Sequence, residues 1–359
     1  MTQLEEEVAG FFVRRGRWSP LEIAFWILAL ASIWLLPSEH LILTETAILA
    51  LFALSLDLIL GFAGIISLGH AAFFGFGAYF TGLVAKYGIV NEPVLALLLA
   101  GLAAAALGFA TSFLVLRGSD LTRIMVTLGI ALVLYELANR YDNITGGANG
   151  LQGVDIHPIL GRFSFDLYGH TAYAYCLVVL FLLFLLARRI VRSPFGLSLV
   201  ALKDNPLRAE AVGIPVNARM VAIYTIAAGY AGVAGALLTQ TTAFCSLDVL
   251  SFERSADLLL VLIIGGTGYL YGGLIGAVIF KFMQDWLANL TPQYWQFWIG
   301  LVLVLIVLVG RERVTGWTRS LHHMIFPRLL AMPESRKKRR EIAARRGIGR
   351  VGGAASDGH

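Results

Sequence analysis

Apolar and polar residues alternate in long blocks along this chain, and the apolar blocks have the length that a helix needs to cross a bilayer. About 20 mainly apolar residues in a helix span the hydrocarbon core. Ten such runs occur, of which the eighth is short: 21–36, 41–60, 70–87, 94–116, 123–139, 171–190, 220–243, 258–265, 272–290 and 295–309. The pattern predicts an all-α integral membrane protein, a polytopic helical bundle of about ten spans.

Composition excludes the soluble classes of protein. Of the 359 residues, 58% are hydrophobic and only 14% are charged, and the mean hydropathy is +0.75. Soluble domains carry about 25% charged residues. The two cysteines, Cys176 and Cys245, have neither the spacing of a disulfide framework nor that of a metal site. We therefore expect contact with membrane lipid, no nucleic-acid partner, and no metal or cofactor in this chain.

Basic residues predict the orientation, because loops rich in lysine and arginine stay in the cytoplasm. Basic clusters occur at 14–17, 117–123, 188–219 and beyond 311. Four, two and four predicted spans separate successive clusters, so all clusters fall on one side of the membrane. The predicted organisation is a cytoplasmic N-terminal segment (1–20), a transmembrane domain (21–310) with an external loop (139–170) and a cytoplasmic segment (192–219), and a basic, largely disordered cytoplasmic tail (311–359).

Glycine interrupts the apolar pattern in two places, and both are predicted to be broken helices. The first lies in LSLDLILGFAGIISLGHAAFFGFGAYF at 54–80, and the second is the Gly-Gly-Thr-Gly sequence at 265–268. Non-helical backbone at membrane depth is tolerated only where protein covers it or where it lines a water-filled path. The residues that we expect to line a translocation path are Asp57, Gly61, Gly64, Ser67, His70, Gly265 and Gly266.

Ionisable side chains in the apolar runs have competing interpretations. Asp57 has no oppositely charged neighbour in the local sequence, which makes it the better candidate for the path. His70 either contacts a substrate or hydrogen-bonds the backbone of the broken helix, and we favour the second. Lys281 and Asp285, at i and i+4 of one helix, are expected to neutralise each other. Other carboxylates in or near spans, each expected to face the interior, an interface or a partner, are Glu45, Glu136 and Asp257.

A spacing of four residues relates Gly268, Gly272 and Gly276 in the second region. In one helix these glycines form a flat stripe that lets another backbone approach closely. Each half of the chain thus carries one glycine-dense interruption, which is typical of a transporter built from two related halves around a central path.

Residues 193–219 are the long polar and basic interruption between apolar blocks. Ser193 before Pro194, and Asn205 before Pro206, have the pattern of an N-cap followed by proline in the first helical turn. Gly213 has the pattern of a left-handed helix stop. The sequence predicts two short helices at a membrane surface, and the second is too short to be stable without a partner surface. A solvated linker between two bundles is the alternative.

Four motifs together resemble one family. EAVG at 210–213 resembles the cytoplasmic EAA loop of ABC-importer permeases, and it follows SPFG at 193–196. SLGHAAF at 67–73 resembles a signature of branched-chain amino acid permeases, and TGGANGL at 145–151 resembles their TGGxxGL segment. Over about 41–313 the chain resembles the LivM-type permease subunit of branched-chain amino acid importers.

The resemblance implies a transporter subunit of the bacterial cytoplasmic (inner) membrane that moves a small solute inward by ATP-driven alternating access. It implies a second, LivH-type permease, two ATP-binding subunits and a periplasmic solute-binding protein as partners. Because no GxxxxGK[ST] phosphate loop occurs in the sequence, ATP and magnesium are expected in the partner subunits, and this chain is not expected to be an enzyme. The residues implied in coupling to the ATPase are Leu207, Arg208, Glu210, Ala211 and Gly213.

The external loop is polar and glycine-rich, and the resemblance makes it a candidate contact for the binding protein. The candidate contact residues are Thr145, Gly146, Gly147 and Asn149. Their backbone forms either an anion-binding nest or a tight external turn, and we favour the turn.

Two other classes of function, and several solutes, stay open on these residues. A stand-alone channel or secondary transporter would need no ATPase and would use intramembrane charges such as Asp57. A membrane-embedded enzyme needs a convergent catalytic set, which the scattered His70, His157 and His170 do not supply. Branched-chain amino acids, urea, amides and aromatic acids are all compatible with the resemblance.

Overall fold

A computed structural model describes residue 18 and residues 20–90, 92–159, 161–166, 169–290 and 292–309. Within these ranges the regular structure is helical, with two isolated β-bridges besides. The predicted N-terminal segment 1–20, except for Trp18 and Pro20, and the whole predicted tail 311–359 lie outside the described residues.

Twelve α-helices of six or more residues follow one another in the described part of the chain. They are α1 (Pro20–Leu35), α2 (His40–Leu56), α3 (Ala71–Lys86), α4 (Pro93–Val115), α5 (Asp120–Arg140), α6 (His170–Arg192), α7 (Pro194–Asp204), α8 (Pro206–Ala211), α9 (Val216–Thr242), α10 (Phe252–Gly265), α11 (Leu270–Leu290) and α12 (Trp295–Val309). Each apolar run corresponds to a helix, and α7 and α8 occupy the polar segment. The all-α prediction is confirmed.

Five helical segments are long and apolar enough to cross a membrane: α4, α5, α6, α9, and α2 together with the turns that flank it. A sixth span results if α10 and α11 are counted as one, although the chain bends by 111° between them. The helices α1 and α3 are shorter than a full span requires. Length and composition therefore do not confirm ten crossings, which remain a prediction.

Helix α9 is the centre of the bundle, where it packs most extensively against α4 and α3. A Cβ atom added to Gly77 of α3 would lie 2.2 Å from the carbonyl oxygen of Gly232 of α9. A Cβ atom added to Gly232 would likewise lie 2.2 Å from the Cβ atom of Ala104 in α4. Small residues permit this approach, which stabilises helix pairs in lipid by close van der Waals contact.

A buried ion pair joins α1 to α6. A guanidinium nitrogen of Arg188 lies 2.9 Å from Glu22 Oε2, and one of Arg192 lies 3.3 Å from Glu22 Oε1. The indole ring of Trp18 covers the Arg188 guanidinium at 3.7 Å. Glu22 is only 2% exposed, and a buried carboxylate needs such partners to offset its desolvation. These contacts account for a glutamate within the first apolar helix.

The predicted pairing of Lys281 with Asp285 is wrong. The Lys281 ammonium group pairs with Glu45 of α2, and the described part of the chain contains no Lys281–Asp285 ion pair. Asp285 instead accepts a 3.2 Å hydrogen bond from the Asn289 side chain. Because α11 packs against α2, a carboxylate on another helix lies closer to Lys281 than the one at i+4.

The predicted glycine stripe is right for two of its three members. Gly272 and Gly276 face α10, since a Cβ atom on Gly276 would lie 2.1 Å from the Val261 carbonyl oxygen and one on Gly272 would lie 2.0 Å from that of Gly266. Gly268 does not belong to the stripe because it precedes α11. It has a different role at the break between the two helices.

Candidate functional site

The first glycine-rich region interrupts the helical backbone after α2. Residues Asp57–Phe62 continue α2 as a π-helical turn, and residues 63–70 are not helical. The N–H group of Ile65 donates to the Ile59 carbonyl at 2.9 Å, and the N–H group of Ala71, the first residue of α3, donates to Ser255 Oγ at 3.0 Å. Single π-helical turns are rare in proteins, and many of those that occur lie at functional sites.

The second region separates α10 from α11 at residues 266–269. Gly266 and Gly268 have φ angles of +90° and +83°, which favour glycine because it has no Cβ atom to clash. A Cβ atom on Gly265 would lie 1.8 Å from the Gly272 carbonyl oxygen. Glycine is required here both for the turn and for the contact between the two helices.

The two interruptions meet at one place, which we call the junction and define by Asp57, Gly61 and Gly268. The N–H group of Gly268 donates to Asp57 Oδ1 at 2.7 Å. A Cβ atom on Gly61 would lie 2.5 Å from the Gly268 nitrogen. Asp57 is completely buried, so this hydrogen bond is screened from water.

Lys203 of α7 reaches the junction from the polar segment. Its ammonium group donates a 2.6 Å hydrogen bond to the Gly61 carbonyl oxygen. Its stem lies against Gly64, because a Cβ atom there would be 3.1 Å from Lys203 Cγ. Lys203 was not predicted as a site residue, since nothing in its local sequence distinguishes it from other lysines in basic segments. Its role follows from the packing of α7 across the π-helical turn.

His70 is buried beside the first interruption, and its predicted hydrogen bond to broken backbone is wrong. His70 Nε2 lies 2.9 Å from Ser55 Oγ, which is itself 2.6 Å from the Phe52 carbonyl oxygen. Because the single hydroxyl proton of Ser55 goes to that carbonyl, His70 Nε2 is the donor to Ser55. The imidazole also stacks on the Phe52 ring at a centroid distance of 5.8 Å. A side chain of α2 therefore fixes this histidine.

Three of the predicted path residues carry a buried polar atom that has no hydrogen-bond partner among the described residues. The atoms are Asp57 Oδ2, Ser67 Oγ and His70 Nδ1. Buried polar atoms are nearly always paired, and an unpaired one is costly. These atoms thus retain hydrogen-bonding capacity that the described part of the chain does not use.

A cavity of about 670 Å³, which we call the charged cavity, lies beside α2, α10 and α11. Its charged lining residues are Glu45, Asp248, Glu253, Arg254, Asp257 and Lys281. The aromatic rings of Phe52 and Phe74 also line it, with centroids 4.5 Å apart. Two of the carboxylates singled out from the sequence, Glu45 and Asp257, therefore face this cavity. Arg254 was not singled out from the sequence, and Lys281 was expected to pair with Asp285 and not to line a cavity.

The polar segment folds as its capping pattern predicts. The side chain of Ser193 accepts from the Gly196 N–H group at 3.5 Å, and that of Asn205 from Arg208 at 3.0 Å. Gly213 has φ +89°, and the next residue donates back to the Ala209 carbonyl at 3.1 Å. This hydrogen bond is the wider one of a Schellman motif, which ends the helix with a left-handed glycine.

Helix α8 presents most of its side chains away from the rest of the chain. Leu207 and Val212 are 79% and 78% exposed, the largest fractions among the exposed large apolar residues of the described part. Ala209 is the buried member of this helix. The predicted coupling residues Leu207, Arg208, Glu210, Ala211 and Gly213 are all exposed.

Residues 145–151 form a tight turn, as the sequence analysis favoured. The hydroxyl group of Thr145 donates to the Tyr141 carbonyl at 2.8 Å, and Leu151 donates to the Cys245 carbonyl at 2.7 Å. The second hydrogen bond holds the turn against the second half of the chain. Of the candidate contact residues, Asn149 is exposed, Thr145 and Gly146 are half-buried, and Gly147 is buried.

The chain is similar to known transport proteins over most of its length. Residues 40–307 match the family model described as "Branched-chain amino acid transport system / permease component". The high-affinity branched-chain amino acid transport system permease proteins LivM of Salmonella typhimurium and of Escherichia coli are each 27% identical over 300 residues, which covers 77% of this chain and 70% of each relative.

A more distant similarity reaches a second type of permease. The probable branched-chain amino acid transport permease protein LivH of Methanocaldococcus jannaschii is 27% identical over 173 residues, which covers 46% of this chain and 52% of that protein. No solved structure shows a significant match. The family model covers well over half of the chain, in agreement with the motifs recognised in the sequence. The chain therefore belongs to the family of permease components of branched-chain amino acid transport systems.

Proposed function

We propose that this chain is the membrane-spanning subunit of an ABC importer that carries branched-chain amino acids, or a related small polar solute, inward by ATP-driven alternating access. The family and the names of the relatives support this solute class. The subunit works in the bacterial cytoplasmic membrane with a LivH-type permease, two ATP-binding subunits and a periplasmic solute-binding protein. ATP and magnesium bind in the ATP-binding subunits.

The contact between Lys203 and Gly61 is the observation that carries the mechanism. Its 2.6 Å hydrogen bond joins the segment proposed to face the ATP-binding subunit to the first interruption of the bundle. A displacement of α7 therefore acts on the Gly61 carbonyl, and the adjoining Asp57 passes it to Gly268. Alternating access needs such a link, because ATP binding occurs in a different subunit from the path.

The exposed face of α8 supports a partner at this segment. Leu207 lies on a helix of six residues and Val212 directly follows it, and both are apolar and exposed. A helix of this length is too short to be stable in water without further contacts. We assign the contact with the ATP-binding subunit to Leu207, Arg208, Glu210 and Ala211. Gly213 sets the direction in which the chain enters α9.

We also propose ten crossings with both chain ends in the cytoplasm. The 111° bend between α10 and α11 supports two separate crossings there, since α11 turns back from α10. Helix α3, with 16 residues, has a length of about 24 Å, and we propose that the non-helical residues 63–70 complete its crossing. The turn at 145–151, with Asn149 exposed, then faces the periplasm and the binding protein.

Coupling is tested with Lys203→Met, Glu210→Ala and Gly213→Val in the complete complex, reconstituted in liposomes. Solute-stimulated ATP hydrolysis and leucine uptake are measured together, with the amount of folded permease measured separately. Removing one partner of a contact that is desolvated at a subunit interface typically costs about 2 to 5 kcal/mol, so we expect uptake per ATP to fall more than tenfold in Glu210→Ala. Lys203→Met removes the hydrogen bond to the Gly61 carbonyl, and we expect it to lower uptake per ATP as well. Gly213→Val acts by a different route, because a β-branched residue resists the positive φ angle.

Lys86→Met is the matched control, since Lys86 is an exposed lysine at the far end of α3. We expect no change in its coupling. Normal coupling in all three test variants would mean that the polar segment is only a linker. Uptake by the reconstituted permease without ATP-binding subunits would instead favour a stand-alone channel or secondary transporter.

A further inference from the structure

We propose that the charged cavity binds the ammonium and carboxylate groups of a zwitterionic amino acid, so that this permease has a solute site of its own. This inference rests on the proposed function, because the solute assigned to the cavity is the one that the proposed importer carries.

The charged cavity presents both signs of charge close together. Lys281 of α11 pairs with Glu45 of α2, and Arg254 of α10 pairs with Asp248 at 2.8 Å. Asp257 lies one helical turn from Arg254 and lines the same cavity as Arg254 and Lys281. An α-amino acid is complementary to this arrangement: its carboxylate fits Lys281 and Arg254, and its ammonium group fits Asp257 and Glu45.

These ion pairs are open to a ligand. The Glu45 and Lys281 side chains are 53% and 20% exposed, and those of Asp248 and Arg254 are 57% and 42% exposed. Ion pairs that water can reach contribute little to stability. They exchange their partners for the charges of a bound solute at a low cost, which a fully buried pair such as Glu22–Arg188 cannot do.

The apolar part of the charged cavity accounts for an apolar side chain on the solute. Phe52 and Phe74 form a continuous aromatic surface, and Leu49 and Phe280 extend it. The volume of about 670 Å³ lies within the range of small-molecule sites, which combine apolar walls with a few charged groups that fix orientation. A bound leucine places its ionic groups on the charged wall and its isobutyl group on the aromatic surface.

The position of the charged cavity connects it to the first interruption. The Phe52 ring that lines the cavity stacks on His70, which is hydrogen-bonded to Ser55. Ser55 stands two residues before Asp57, at the start of the π-helical turn. Phe52, His70 and Ser55 thus connect the wall of the charged cavity to the first interruption.

The first experiment measures equilibrium binding of radiolabelled leucine to the purified complex in nanodiscs, without the binding protein. Two competitors each lack one ionic group: 4-methylpentanoic acid has no ammonium group and 3-methylbutylamine has no carboxylate. We expect each to compete at least tenfold more weakly than unlabelled leucine. Equal competition by either compound, or no saturable leucine binding, overturns the proposal.

The second experiment locates the site. The double variant Lys281→Gln with Arg254→Gln is expected to weaken leucine binding at least tenfold, and Asp120→Asn, at an exposed pair on α5, is the control that leaves it unchanged. The charge reversal Glu45→Lys with Lys281→Glu keeps an ion pair between α2 and α11. We expect this reversed variant to yield as much folded permease as the wild type but not to bind leucine. Full recovery of binding in the reversed pair would make these charges structural and would overturn the proposal.

Leucine uptake with the binding protein and ATP separates this inference from the proposed function. If the wild-type complex takes up leucine and the double variant still binds leucine as tightly as the wild type, the charged cavity is not the solute site. The importer assignment then stands. Absence of leucine uptake by the wild type rejects the proposed solute, and with it the ligand assigned to the charged cavity.

Discussion

Oδ1 of Asp57 accepts a 2.7 Å hydrogen bond from the N–H group of Gly268, although 211 positions separate the two residues in the sequence. Each residue belongs to one of the two glycine-rich interruptions. The carboxylate that has no local partner in the sequence thus has a backbone partner from the other half of the chain. This hydrogen bond closes the junction between the halves.

The Asp57–Gly268 hydrogen bond predicts a specific pattern of stability. Asp57→Ala leaves the Gly268 N–H group without its acceptor, which typically costs about 1 to 3 kcal/mol. Asp57→Asn keeps an acceptor oxygen and should retain most of the stability. Denaturant titration of the purified complexes in detergent compares the free energy of unfolding of the two variants. An alanine variant as stable as wild type would contradict the role of this hydrogen bond.

Close contact at Gly61 predicts that even a methyl group is harmful there. A Cβ atom on Gly61 would lie 2.2 Å from Asp57 Oδ1 and 2.5 Å from the Gly268 nitrogen. Gly61→Ala must separate the two interruptions, at a cost of about 1 to 3 kcal/mol, and we expect a severe loss of uptake. Gly129→Ala is the matched control, because no atom lies within 4 Å of its added Cβ. Equal uptake by the two variants would show that the junction tolerates separation.

The buried pair between α1 and α6 predicts a large effect on stability. Glu22→Ala leaves Arg188 and Arg192 without their carboxylate, and breaking a buried pair on one side typically costs about 3 to 5 kcal/mol. Asp120→Asn removes the exposed partner of Arg123 and should cost less than about 1 kcal/mol. Thermal unfolding of both variants and the wild type in the same detergent measures the loss of stability in each variant. Similar losses in both would mean that the α1–α6 pair is not a structural anchor.

Topology is tested by adding one cysteine at a time. The natural Cys176 and Cys245 are buried, so they give a low labelling background. Asp204→Cys should react with a membrane-impermeant thiol reagent only from the cytoplasmic side, and Asn149→Cys only from the periplasmic side. In the proposed arrangement a single crossing, α6, lies between these positions. Labelling of both from one side would contradict the proposed arrangement.

Local signals in the sequence determined where the helices lie and how the polar segment folds. Ten apolar runs predicted ten helices because burial in lipid or in a bundle requires a continuous apolar stretch. The caps at Ser193 and Asn205 and the stop at Gly213 were predicted because each depends on the backbone within a few residues of itself. The family was also evident from short, ordered motifs.

Tertiary structure alone decided which charges pair and which interruptions touch. Lys281 pairs with Glu45 and not with its neighbour at i+4, and Lys203 binds the Gly61 carbonyl from a segment more than a hundred residues away. Such partners depend on how helices far apart in sequence pack, and α11 against α2 is one example. Because a charged side chain binds whichever opposite charge or backbone dipole packing brings within reach, no local pattern encodes that choice.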